Sequence, residues 1–304
     1  MTFPKPSEHM GKPSVSVSGC IDLHMHSNCS DGFYPPEQLV EWASELGLSA
    51  IALTDHDTTK GVETAIKRGK ALGVEVIPGC ELSVTYSGGT FHLLGYYVDY
   101  TNDEFNVTMA QIMESRHERN RKIVAALNEH GMPITHEELL EEAGEATVGR
   151  PHMAQIMIRK GYVSDFREAF DKYLAEGMAC YFPSENFGPE RAIKLVLAAG
   201  GVPVIAHPFW LNRKSLEDLD AYIGELVGYG LRGMEIVYPD HSPEIQRAYI
   251  EIAKKYDLIV TGGSDFHGGG VVKPEVTLGH GTGGDFRVPA ELLQKLKAAA
   301  GGAA

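Results

Sequence analysis

IDLHMHSNCSDG, residues 21–32, is an apolar run that ends in two histidines and an aspartate. Ile21, Leu23 and Met25 alternate with Asp22, His24 and His26, so residues 20–26 are expected to form a strand with both imidazoles on one face. Asp31 follows in a Ser-Asp-Gly turn. The same ending recurs along the chain. AIALTDHD (50–57) carries His56, VIPGCELSV (76–84) carries Glu81, and TFHLLGYYV (90–98) carries His92. VPVIAHP (202–208) carries His207, and LIVTGGSDFH (258–267) carries Asp265 and His267. One His-x-His pair is weak evidence, but polar clusters at the ends of several apolar strands need partners. Six histidines and three carboxylates offer more donors than one tetrahedral ion can use. They point to two or three divalent ions sharing a site, an arrangement suited to displacement at phosphorus.

The segments between these endings alternate in period. Pro35 and Pro36 open a helix that Gly47 ends, and Thr58 or Thr59 is expected to cap a second that Gly73 closes. Ser87–Gly89 reads as a hairpin-type turn between two strands. From Asp103 to about Arg191 the pattern is helical, with a capping box at Thr135 and Glu138. Strand and helix then alternate to the end. Repeated βα units with apolar strands mean a parallel sheet covered by helices, here of about seven strands. Candidate ligands at the C-terminal ends of nearly every strand favour a closed barrel, which gathers those ends on one face. An open sheet would gather only the ends beside its switch point. The expected division is a flexible tail (1–18), a metal-binding barrel (19–100 and 189–304) and a helical insert (101–188) acting as a substrate cap.

Composition narrows the function classes. The chain has 304 residues, 43% hydrophobic and 22% charged, as in ordinary globular proteins. No apolar run approaches the ~20 residues needed to span a bilayer, and the N-terminus lacks the apolar core of a secretory signal. Cys20, Cys29, Cys80 and Cys180 show no CxxC spacing and read as reduced thiols in a cytoplasmic protein. A net charge of −14 argues against a stable nucleic-acid complex, but not against a small phosphorylated substrate. Bound cations can reverse the potential inside a cleft.

DLHMHS, LTDHDT, GCELS, FHLLGY, IAHP and GSDFH resemble the successive motifs of the PHP (polymerase and histidinol phosphatase) family, from residue 20 to about 285. The helical insert interrupts them as it does in one branch of that family. The resemblance implies an α/β fold, a distorted (β/α)7 barrel, and a metal-dependent phosphoesterase with a trinuclear centre. By the same resemblance His24, His26, Glu81 and Asp265 would hold one ion. Glu81 would bridge to a second, held also by His92 and His207. Asp31, His56 and His267 would hold the third. Glu81, His207 and Asp265 form the implied catalytic core. An aspartate at Asp31, where many members have histidine, resembles the nucleotide-phosphatase branch.

Other polar residues rank lower. Asp22 shares the histidine face and is expected either to orient a ligand or to serve the buried structure. Asp55 and Asp57 flank His56, one as support and one as a cap. His280, in a Gly-rich loop, is a substrate contact or a plain loop residue. His117, His130, His136 and His241 read as solvated. The insert supplies cations: Arg116 and Arg150 are expected on phosphate, His152 is a weaker companion, and Arg119 and Arg121 read as a solvated face.

The expected chemistry uses two to three Mn, Zn or Fe ions, with a hydroxide between two of them attacking the ester in line. The leading reading is removal of the 3′-phosphate from nucleoside 3′,5′-bisphosphates, extending to short 5′-phosphorylated RNA. The alternative is a phosphodiesterase for cyclic sugar phosphates. Histidinol-phosphate phosphatase fits less well, given Asp31 and the helical insert. A non-catalytic polymerase-associated module conflicts with the complete ligand set.

Overall fold

The computed structural model describes residues 19–86, 90–143, 148–183, 187–268, 275–282, 284 and 286–301. The expected tail at 1–18 and the turn at Ser87–Gly89 lie outside them. Seven main strands run in chain order: β1 (Cys20–Asp22), β2 (Ala50–Leu53), β3 (Glu75–Val84), β4 (Phe91–Tyr96), β5 (Val202–Ile205), β6 (Gly233–Val237) and β7 (Ile259–Gly262). Short pieces follow, β8 (Val276–Thr277), β9 (Gly281–Thr282) and β10 (Val288–Pro289). The main sheet is eight-stranded, in the order β10-β1-β2-β3-β4-β5-β6-β7. The eighth strand, β10, was not foreseen; it runs antiparallel to β1. The sheet is also not uniformly parallel, since β4 is antiparallel to both β3 and β5.

The barrel closes beyond the regular strands. Leu23 N–H donates to Gly262 O (3.2 Å), Asp265 N–H to His24 O (2.8 Å) and His26 N–H to Phe266 O (2.8 Å). Continuous pairing thus joins the histidine end of the first strand to the aspartate end of the seventh. The regular part of β1 is shorter than the 20–26 expected, because Met25 pairs only as an isolated bridge to Phe266.

Helices α1 (Pro36–Leu46) and α2 (Val62–Leu72) cover one side of the barrel. Their packing layer includes Leu39, Trp42, Leu53 and Ala65. Gly47 ends α1 at φ 79°, a left-handed position that suits glycine. Thr58 and Thr59 do not cap α2: the N-cap is Gly61, wedged where a Cβ would meet Leu53 and Pro36 at 2.8 Å. Tight packing there excludes a side chain, so the capping hydroxyls fall one turn early.

Between 103 and 174 the described residues form helices joined by turns: α3 (Asp103–Glu129), α4 (His136–Ala143), α5 (Arg150–Arg159), α6 (Phe166–Ala169) and a π-turn at Phe170–Leu174. The Thr135–Glu138 capping box forms in both directions (2.9 and 3.1 Å). Phe105 and Met109 of α3 join a barrel-side cluster, whereas Ile123 and Leu127 belong to a separate core with Met153, Ile156 and Leu174. One long helix therefore anchors the insert's own core to the barrel. The remaining helices are α7 (Pro189–Ala198), α8 (Leu216–Tyr229), α9 (Pro243–Lys255) and α10 (Leu292–Gly301). Ile21, Leu23, Ala52, Ile77, Leu94 and Val204 share a further cluster of strand residues.

Gly263 is a tight junction between the first and seventh strands. A Cβ there would meet His24 Cβ at 2.3 Å and His24 N at 2.4 Å. Gly263→Ala should therefore cost ~1–3 kcal/mol or more by forcing the first and seventh strands apart. Thermal unfolding against wild type tests this, and an unchanged Tm would contradict the packing described.

Candidate metal centre

Strand pairing continues past β2 and β3. His56 bridges Glu81 in parallel, with Asp57 N–H donating to Glu81 O (2.9 Å) and Glu81 N–H to Asp55 O (3.1 Å). On the antiparallel side Glu81 is opposite Leu94 and Ser83 is opposite His92, so Glu81 and His92 share a face as diagonal neighbours. The closing bonds between His24 and Asp265 bring in the last pair. All nine residues singled out in the sequence meet at this end of the barrel.

Their spacing is that of donor atoms awaiting cations. His24 Nε2 lies 3.2 Å from Glu81 and 3.3 Å from Asp265; His26 Nε2 lies 3.2 and 3.1 Å from the same two. His92 Nδ1 and His207 Nε2 are each 3.0 Å from Glu81 Oε1, and His56 Nδ1 is 3.3 Å from Oε2. Asp31 faces His26 (3.6 Å), His56 (3.6 Å) and His267 (3.5 Å). Three sets bring their donor atoms within 4.8 Å of one another: His24, His26, Glu81 and Asp265; His26, Asp31, His56 and His267; and His56, Glu81 and His92. The first two agree with the implied partition, apart from His26 also joining the second. In the third, His56 stands where His207 was expected. Nε2 of His24, both nitrogens of His26 and Nδ1 of His56 are buried without a well-formed hydrogen bond. Buried imidazoles and carboxylates in this proportion suit borderline divalent ions, so the residues present fit the metals.

Electrostatics follow from the crowding. Burial pushes the Glu81 carboxyl up, but the charges of His24, His92 and His56 hold it well below its ordinary value. Burial likewise pushes Asp31 up, and His56 and His267 bring it well below. For His26 burial works downward, yet the adjacent Asp265, Glu81 and Asp31 carboxylates, which favour its charged form, raise it to about 10. His56 goes the other way, to about 3, because burial and the charges of His26 and His92 outweigh Asp31 and Glu81.

A supporting layer holds the donors. Glu235, on β6 and fully buried, accepts from His24 Nδ1 (3.0 Å) and from His207 N–H (2.8 Å). It thereby fixes the His24 tautomer that turns Nε2 toward Glu81. Tyr238 O–H donates to Asp265 Oδ2 (2.9 Å). His207 (φ 25°) and Asp265 (φ 55°) both occupy left-handed backbone, strain of a kind that clusters at functional sites. Glu235 and Tyr238 were missed in the sequence. The signal for Glu235 was a carboxylate inside the apolar strand Gly-Met-Glu-Ile-Val. Asp22 accepts from Ser264 N–H (2.9 Å) and Oγ–H (2.6 Å) and from Gly279 N–H (2.9 Å), so it ties loops together rather than touching an imidazole. Asp55 takes Ser27 and Ser30 (each 2.7 Å), bracing the Asp31 loop. Asp57 pairs with Arg116 and accepts Ser83 N–H (2.8 Å).

Two expectations fail. His241 is buried, not solvated: its Nδ1–H donates to Ile236 O (2.9 Å), and its ring packs on Tyr238 and Tyr249. Arg119 is half-buried beside Arg116 and Arg150, and this desolvation and mutual repulsion lower it to about 10. His241 lies in the connection from β6 to α9 and Arg119 faces other arginines of the insert, surroundings that local pattern does not register. His117, His130, His136 and Arg121 are exposed as expected. His280 is buried, with Nδ1–H donating to Leu278 O (2.9 Å). The cysteines are free and belong to none of the three donor sets.

A barrel whose strand ends converge on such a donor set belongs to the metal-dependent hydrolases. The chain belongs to the PHP domain family, whose model matches residues 22–190, and it is a metal-dependent phosphoesterase. It is 31% identical over 253 residues to the 3′,5′-nucleoside bisphosphate phosphatase of Chromobacterium violaceum, covering 82% of this chain and 88% of that one. It is 32% identical to the 5′-3′ exoribonuclease of Haemophilus influenzae (81% and 89% covered). It is also 32% identical to the phosphoribosyl 1,2-cyclic phosphate 1,2-diphosphodiesterase of Eggerthella lenta (88% and 99% covered). A Bifidobacterium adolescentis structure whose name assigns it to the metal-dependent phosphoesterases superposes with a TM-score of 0.76 at 30% identity, covering 93% of this chain and 96% of that one.

Two predictions follow from the geometry. Glu235→Gln keeps one acceptor where two are needed, so metal affinity should fall ~10- to 100-fold; competition with a chelator measures this, and unchanged affinity would refute the supporting role. The second concerns protons. His26 is raised to about 10 in the metal-free chain, so its contribution to stability is full below its unfolded value near ~6.5 and is lost as pH rises through about 10. A cation must displace that proton. Metal affinity should therefore increase from pH 6 to pH 9, with proton release seen by calorimetry in buffers of differing ionisation enthalpy. Binding without proton release would contradict it.

Proposed function

We propose that the protein removes the 3′-phosphate from nucleoside 3′,5′-bisphosphates and acts on short 5′-phosphorylated RNA, using two to three Mn, Zn or Fe ions held by the nine residues above. The observation that carries this reading is a group of arginines from the insert gathered near the metal cluster. Arg116, Arg119 and Arg150 of the insert lie close enough to repel one another. His152, buried beside them, feels both Asp31 and Arg116. Arg150 is braced by Leu174 O (3.1 Å) and stands over Phe170 and Tyr181 (5.9 and 5.6 Å). Guanidinium groups gathered in this way suit a phosphate, which they can hold through paired N–H donors. A substrate with two phosphates satisfies both sites at once. The names of the Chromobacterium and Haemophilus relatives support the same class.

Bound ions would supply an activated water and neutralise the phosphoryl oxygens. The chain's own residues do the rest. Glu235 and Tyr238 hold His24, His207 and Asp265 in line, and Asp57 aims Arg116. The insert, residues 101–188, serves as the cap that carries the arginines. Arg116 and Arg150 bind the second phosphate, with Arg119 joining them. His280, whose buried ring bonds its own loop, is left to loop packing. Free cysteines suit a cytoplasmic enzyme. No helix among the described residues is long and apolar enough to cross a membrane.

The test is a comparison of kcat/KM for adenosine 3′,5′-bisphosphate, a short 5′-phosphorylated RNA and a ribose cyclic phosphate with the Mn-loaded protein. Turnover of the first two is expected, and turnover of the cyclic compound alone would overturn the reading. His24→Ala and Asp265→Ala should each lower kcat by roughly three orders of magnitude or more with the fold retained by circular dichroism. Near-normal turnover in both would end the metal mechanism.

A further inference from the structure

We propose that Phe209 and Trp210 form a stacking platform for the nucleobase of the substrate, a binding element beyond the metals and arginines; it rests on the nucleotide reading above. Among the described residues the exposed large apolar side chains are Phe33, Val107, Met178, Phe209, Trp210 and Leu216. The three aromatic ones all follow a metal-cluster residue within three positions. Phe33 comes two after Asp31, and its N–H donates to His267 O (2.8 Å). Phe209 and Trp210 come two and three after His207, in the 3-10 turn Pro208–Leu211.

That turn is rigidly built. Trp210 N–H donates to His207 O (3.0 Å), and Trp210 O accepts Thr90 N–H (2.9 Å), so the turn is tied to the cluster and to the start of β4. The two rings meet edge to face at 5.7 Å and 84°. Phe209 is backed at 6.5 Å by the buried ring of His241, which in turn packs on Tyr238, the partner of Asp265. Yet the pair is 46% and 45% exposed.

Large apolar faces left open and braced from behind mark a surface that a partner covers. The partner is identified by position. The pair shares its backbone with His207, so whatever covers it lies beside the phosphate being cleaved. A nucleoside phosphate brings a flat, uncharged ring to that place, and every base presents a π-face that aromatic side chains stack upon whatever the sequence. Tolerance of all four bases, with purines favoured by their larger face, follows.

The test compares adenosine 3′,5′-bisphosphate with the baseless ribose 3,5-bisphosphate on wild type, Phe209→Ala, Trp210→Ala and the double variant of the full chain. Wild type should prefer the adenosine compound, chiefly through KM, and the substitutions should lower that preference roughly tenfold to hundredfold. Trp210 fluorescence gives a second reading, because the other tryptophan, Trp42, is buried. Adenosine 5′-monophosphate should quench wild type and leave Trp210→Phe unquenched. Equal kcat/KM for the two bisphosphates in wild type, or variants that weaken both alike, overturns the platform while the nucleotide reading stands. A fall in molecular mass on substitution, seen by light scattering, assigns the pair to contact between copies and overturns it too. Hydrolysis of a ribose cyclic phosphate with neither bisphosphate turned over overturns the nucleotide reading, and the platform with it.

Discussion

Glu81 dominates this molecule. Its carboxylate is 1% exposed and lies 3.0–3.3 Å from imidazole nitrogens of His24, His26, His56, His92 and His207. Few arrangements are harder to build. An isolated buried carboxylate is expensive to desolvate, and so is each charged imidazole around it. Removing one partner leaves the others unbalanced. The cluster is tolerable only when complete, and completing it requires five strands to end at one place. A closed barrel is the architecture that does this.

Holding the donors still requires further buried charge. Asp22, Asp55, Asp57 and Glu235 are all at most 1% exposed. Burial pushes Asp22 and Asp55 above the ordinary carboxylate range, while hydrogen bonds from Ser264 and, for Asp55, the nearby His26 charge with Ser27 and Ser30 pull back. Each of these aspartates ties a loop to a strand end, and Glu235 ties two ligand strands to each other. The loops that carry the donors are therefore tied to the strand ends by buried carboxylates. This is the preorganisation a metal site needs if its ions are not to drag the ligands out of place.

The insert solves a different problem. The barrel mouth is rich in carboxylates and would repel a phosphate ester without its ions. Arg116, Arg119 and Arg150 add cations from a helical unit with a core of its own, joined to the barrel through α3. Among the described residues, the ion pair between the two is Arg116 with Asp57, next to His56 in the chain. The proposed phosphate grip and the metal cluster thus meet at Asp57, though they are encoded far apart in the chain.

The nine residues that converge and the alternation of strand and helix were legible in the sequence, as was a mostly helical stretch from Asp103, expected to about Arg191 and found as helix to Leu174. Each is a local pattern, set by periodicity and by polar residues at the ends of apolar runs. The Thr135–Glu138 cap is equally local. What tertiary structure decided is whatever depends on distant approach: the antiparallel β4, the unforeseen β10, and the replacement of a threonine cap by Gly61 under Leu53 and Pro36. It also decided that Glu235 joins His24 to His207, that His241 and Arg119 turn inward, and which imidazoles share an ion's reach. Periodicity along a chain reports which side of an element is apolar. It carries no information about what another segment, two hundred residues away, brings to face that side.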